Sequence, residues 1–123
     1  MSGTDFDLSS KDSDTAILEI NSPRSRIGGP YVVIHKNVAE RWAIVALDWE
    51  GEPRLGMRWF WSTQGNPTSS GHPTWFIIPD PLTHGILTSL PIRYKLRYLL
   101  DEFLCGRMKG DDLQGAHETA SSP

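Results

Sequence analysis

Four histidines (His35, His72, His84 and His117), one cysteine (Cys105) and three acids around one turn (Asp48, Glu50 and Glu52) are the side chains that could carry acid–base, nucleophilic or metal chemistry. Their spacing assembles none of these. The histidines are isolated from one another, and no HExxH, HxH or CxxC places two ligands on one metal. Ser69-Ser70-Gly71-His72 sets hydroxyls beside an imidazole, but without the GxSxG turn that exposes a nucleophile. Sequence neighbours do not make a triad without folded geometry. Alternating acids in a turn read as solvated. Cys105, near a helix C-terminus, lacks the electropositive setting that lowers a thiol's pKa, and reads as inert. No catalytic residue, metal or cofactor is expected.

What remains is the chemistry of binding. Trp42, Trp49, Trp59, Trp61 and Trp75 all fall in stretches that read as strands. There, aromatic residues either pack across a sheet or line a pocket for a sugar, a nucleobase or another ring. Arg54 and Arg58 share a strand face with Trp49 and Phe60, and a guanidinium against an indole is a common interface anchor. Tyr94 and Tyr98 lie one turn apart on the polar side of a helix, a pairing often found at interfaces. Asn66 and His72 belong to a long polar loop over residues 62–73, and long loops on rigid scaffolds often carry function. Arg24 and Arg26 beside Gly28-Gly29 could touch a phosphate, but neither GxxxxGK[ST] nor GxGxxG is present.

These residues need elements to position them. Residues 42–49 (WAIVALDW) and 54–61 (RLGMRWFW) flank Glu50-Gly51-Glu52-Pro53 and read as a β-hairpin with a four-residue loop. Placing Trp49 opposite Arg54 puts Trp42, Ile44, Ala46, Leu55, Met57, Trp59 and Trp61 on one face. Ala43, Val45, Leu47, Trp49, Gly56 and Phe60 then share the other with Arg54 and Arg58. Residues 31–35 (YVVIH) and 74–78 (TWFII) read as further strands, and 15–20 (TAILEI) as an edge strand. Asp80-Pro81 signals a helix start. A second helix opens at Pro91 with Ile92, Leu96, Leu99, Leu100, Phe103 and Leu104 as its apolar stripe, and Gly106 ends it. The expectation is an α+β domain over residues 16–106. It has a small, strongly twisted antiparallel sheet of about five strands, with two C-terminal helices packed on one face. Residues 1–15, acidic and polar, and 107–123, polar and small, read as disordered tails.

The second hairpin face is too apolar to sit in water. Either the N-terminal strands fold over it or another subunit does. Net charge is −3, but the N-terminal 15 residues carry −3 and residues 107–123 carry −1, leaving the middle at +1. A near-neutral core argues against generic polyanion binding, although Arg93, Lys95 and Arg97 form a local basic run. No apolar run is long enough to span a membrane. With one cysteine and no charged-then-apolar N-terminal leader, a cytoplasmic location is expected.

The stretches DWEGEPRLGMRWFW and GNPTSSGHPTWFIIP, within residues 42–92, resemble small uncharacterised bacterial proteins encoded on integron gene cassettes. That resemblance implies a compact accessory protein that self-associates, and it supplies no site residues. The leading expectation is a non-catalytic binding or interaction module, a homodimer or partner to an unknown protein. Its candidate surface is Trp49, Arg54, Arg58, Phe60, Asn66, His72, Tyr94 and Tyr98. A small-molecule binder with a Trp-lined pocket and a nucleic-acid accessory protein are the alternatives.

Overall fold

The computed structural model describes residues 7–10, 12–61 and 64–121. Its centre is an antiparallel sheet in the order β1-β2-β3-β6, formed by β1 (Ile27–Asn37), β2 (Trp42–Trp49), β3 (Glu52–Trp59) and β6 (Phe76–Ile77). Between β3 and β6 lies a small separate hairpin, β4 (Thr68–Ser69) with β5 (His72–Pro73). Helix α1 (Ser13–Leu18) precedes the sheet, and α2 (Thr83–Ser89), α3 (Tyr94–Leu104) and α4 (Gly110–Ser121) follow it. The architecture is the expected α+β one, an antiparallel sheet with C-terminal helices on one face.

The β2–β3 hairpin is tighter than the sequence reading has it. Trp49 pairs with Glu52, not Arg54, across a two-residue turn. Glu50 and Gly51 both have positive φ, 52° and 84°, which matches the twist that two-residue hairpins require. The correction moves the register by two residues, and because side chains alternate with a period of two, both faces survive it. Ile44, Ala46 and Leu55 enter one core with Val32, Ile34, Leu87, Leu100, Phe103 and Leu113. Ala43, Val45, Leu47 and Phe60 enter a second with Leu8, Ile17, Ile27 and Trp75.

That second core answers what covers the far face. The chain covers it with its own N-terminal segment, but as a helix rather than the edge strand expected over residues 15–20. Short apolar runs do not distinguish a strand from a buried helical turn. Here Ser13 decides locally, since its buried hydroxyl donates to the Leu8 and Ser10 carbonyls and closes the turn that opens α1. Lys36 on β1 ties α1 down through Asp14 at 2.7 Å and the Ser13 hydroxyl at 3.1 Å. Ile17 is then fully buried, and the Trp75 indole closes the other side by donating to the Ile20 carbonyl at 2.7 Å.

The C-terminal segment differs in the same sense. Where a polar tail is expected over 107–123, α4 packs along β1 and α3, with Leu113 fully buried in the first core. Gly110 makes this possible, because a methyl group there would land inside the Tyr31 ring. The acidic tail expected at 1–15 falls partly on residues 1–6 and 11, outside the described residues, while Leu8 and Ser13 are buried.

The other helices start later than expected. Asp80–Leu82 forms a 3₁₀ turn without a side-chain cap, and α2 begins at Thr83. Leu90 is extended ahead of Pro91, as the residue before a proline tends to be, and α3 begins at Tyr94. The end of α3 is as expected. Gly106 turns left-handed at φ 87°, donates to the Phe103 carbonyl and stops the helix.

Candidate interaction surface

Arg58 is the unusual residue of the sheet. It sits in the middle of an otherwise apolar face at 1 % exposure, among the largest fully buried side chains of the protein. A buried cation is tolerated only where it is hydrogen-bonded. Its Nη1 donates to the carbonyls of Pro67 at 2.9 Å and Thr74 at 2.5 Å, and its Nη2 donates to the Gln64 carbonyl. The guanidinium also lies over the Phe60 ring at 5.1 Å. Burial pulls its pKa down to about 10, so it remains charged at neutral pH. Three carbonyls spread over residues 64–74 thus converge on one planar fork, the geometry that an arginine supplies and a lysine does not.

The fork fixes the loop. Trp59 and Asn66 exchange both backbone hydrogen bonds, N–H to O at 2.8 and 3.1 Å, and the Thr74 N–H donates to the Pro67 carbonyl. Gly65 has φ 65°, and any Cβ there would collide with the Trp59 carbonyl and the Arg58 guanidinium. Within this frame the exposed β4–β5 hairpin presents Thr68, Ser69, Ser70 and His72 to solvent.

Beside the loop, the end of the sheet carries a row of rings. His35 and Trp42 meet at 5.5 Å, and Trp42 pairs across the strands with Trp59. Trp59 stacks on Trp61 at 5.3 Å and 18°, and meets Phe76 edge-on at 6.3 Å. The outer members are open, Trp61 at 46 % and Phe76 at 42 % exposure. Stacked and edge-on rings hold one another in place, so this is a firm apolar surface at a sheet edge.

The residues singled out from sequence do not form one surface. Phe60 and Arg58 are interior, closed off with the second core, and support the loop rather than face a partner. Trp49 is half-buried under the Arg26 guanidinium at 5.8 Å, and Arg26 is paired with Glu50. Arg54 binds the Pro53 carbonyl and lies 4.0 Å from Asp80. Of the apolar side chains on this face, Ala43, Val45, Leu47 and Phe60 are buried within the protein's own second core. Asn66 and His72 are exposed on the fixed loop, and Tyr94 and Tyr98 are exposed on α3. Phe76 is absent from the expected surface, and Trp61 is expected only as part of the hairpin face that carries Ile44, Ala46 and Leu55. The available signal was that the aromatic run Trp59-Phe60-Trp61 continues past the end of β3 into a polar loop, leaving its last ring no strand to pack under.

Two open clefts lie elsewhere. One, of about 440 Å³, runs between α3 and α4 over Ile34, Ile92, Leu96 and Leu99. The other, of about 450 Å³, lies between the β2–β3 turn and the start of α4. At its edge the Tyr31 hydroxyl donates to Asp48 at 2.7 Å. Burial, then that hydrogen bond and the charges of Asp48 and Asp111, raise the Tyr31 pKa well above its usual 10.0. The folded state thus keeps a proton that the unfolded chain loses. Stability from Tyr31 is complete below about pH 10 and is lost as pH rises beyond it toward the folded pKa. Urea midpoints measured from pH 9 to 11.5 should fall more steeply for the native chain than for Tyr31→Phe.

Among the described residues, no three His, Cys, Asp or Glu side chains converge as a metal site would need, and no helix is long and apolar enough to cross a membrane. No family model, curated protein or solved structure matches the chain.

Proposed function

We propose that this protein is a non-catalytic binding module that seats a protein partner on the Trp61–Phe76 platform and the fixed polar loop beside it. The observation that carries this reading is Arg58. A buried arginine bonded to three loop carbonyls is a costly way to shape a loop that nothing uses, and the loop it shapes borders the exposed rings. Rigid aromatic anchors flanked by fixed polar groups are what binding hot spots are made of. The rings form an open stack rather than an enclosed cavity. That favours a side chain of a partner over a small ligand, which is usually engulfed. A free, exposed Cys105 suits a reducing compartment such as the bacterial cytoplasm.

The test is site-specific photo-crosslinking in cells expressing the full chain. A benzophenone amino acid replaces Phe76 in one variant and Glu52, exposed at the opposite end of the sheet, in the other. A discrete adduct from position 76, missing from position 52, is expected. With the partner purified, Trp61→Ala should weaken binding by about 30-fold or more, the loss of a hot-spot residue worth about 2 kcal/mol. No adduct at position 76, equal adducts at both positions, or binding indifferent to Trp61→Ala would rule the platform out.

A further inference from the structure

Helix α3 presents an outward stripe that none of the described residues covers. Tyr94 and Tyr98 are the most exposed large apolar side chains among the described residues, at 81 % and 61 %. They border a shallow depression of about 310 Å³ that reaches Leu99 and Ala116 of α4. Asp101 and Cys105 are also exposed. The four positions, 94, 98, 101 and 105, are spaced 4-3-4, which is the seam spacing of a helix that pairs with another helix.

The charges of α3 run against its own dipole. Arg93, Lys95 and Arg97 stand at the N-terminal end, while Asp101 and Glu102 stand toward the C-terminal end. A helix prefers the reverse order. Arg97 and Asp101 partly offset this within the helix at 3.3 Å, and Glu102 is held by Arg107 at 2.7 Å. Arg93 and Lys95 have no ion pair among the described residues. A second helix of the same sequence, laid antiparallel, removes the conflict, because each basic end then lies along an acidic end.

We infer that α3 pairs antiparallel with α3 of a second copy of this chain about a two-fold axis, forming a weak homodimer. In that arrangement Tyr98 faces Asp101 of the other copy, where a phenol can donate to a carboxylate, and Tyr94 faces Cys105. Lys95 reaches toward the other copy's acidic end. Two helices of this length bury less than the roughly 1,200 Å² at which stable interfaces begin, so the dimer is reversible. The pairing uses neither Trp61 nor Phe76, so it stands or falls separately from the platform.

Sedimentation equilibrium over micromolar to millimolar protein tests it first. A reversible dimer is expected, converted to monomer by Tyr98→Ala, whose exposed side chain leaves the core intact. Tyr94→Cys tests the geometry. Positions 94 and 105 of one helix lie about 16 Å apart, too far for an internal disulfide. Mild oxidation should therefore give a covalent dimer whose peptide map links position 94 to Cys105, and Cys105→Ser should abolish it. Monomer at every concentration, a dimer unaffected by Tyr98→Ala, or links joining 94 to 94 or 105 to 105 would overturn the pairing.

Discussion

Arg58→Met is expected to destabilise the protein by about 4 kcal/mol or more. Hydrogen bonds to a charged group contribute about 1.5–3 kcal/mol each, and this guanidinium makes three, part-buried, to backbone carbonyls. Methionine keeps the aliphatic stem but leaves the Gln64, Pro67 and Thr74 carbonyls without their donor. Part of the loss is regained as the released loop takes up water, which is why the expectation lies below the plain sum. Arg58→Lys should recover only a minor share, since a single ammonium cannot span three divergent acceptors. Equilibrium urea unfolding of the three proteins gives the numbers. A Lys variant as stable as the native chain would show that charge, and not the fork, holds the loop.

Leu113→Ala is the second large effect, expected at about 2–5 kcal/mol, the range for a fully buried leucine cut back to alanine. Leu113 is the α4 side chain that enters the first core, beside Val32, Leu100 and Phe103. The truncation leaves a cavity and weakens an apolar hold of α4 that is fully closed to water. Circular dichroism melts of this variant should show a clear drop in midpoint. A drop no larger than that of the exposed-face change Gln114→Ala would mean that α4 is dispensable.

Those two residues also mark where the sequence was legible and where it was not. The strands of the hairpin and the apolar stripe of α3 are periodic patterns, and both are found, with β3 lying two residues earlier than expected and α3 opening at Tyr94 rather than Pro91, while Gly106 ends α3 as expected. The two hairpin faces survived an error in the turn because a two-residue shift conserves side-chain alternation. What escaped is set by single residues acting at a distance. Leu113 is one buried leucine in a polar stretch, and no window of composition reveals that Gly110 opens room for it against Tyr31. The cover on the second face depends on Ser13 and Trp75 bonding the backbone around α1, which a run such as TAILEI does not encode.

For the site, the residue types were legible but their roles were not. Arg58 read as a surface anchor beside Phe60. Its alternation with Gly56 and Phe60 placed it correctly on an apolar face, but only the folded loop shows the three carbonyls that let it be buried there. Tyr94 and Tyr98, by contrast, were readable from helical phase alone, since they fall opposite Leu96, Leu100 and Phe103.

The central claim is that Arg58 holds residues 64–74 ready beside the Trp61–Phe76 platform before any partner arrives. Amide hydrogen exchange of the free protein measures this directly. The account predicts that the amides of Asn66 and Thr74, which donate to Trp59 and Pro67, exchange as slowly as neighbouring β3 amides. In Arg58→Met they should become fast while β2 stays protected. Exchange of Asn66 and Thr74 at the rate of an unstructured peptide in the native chain would contradict it.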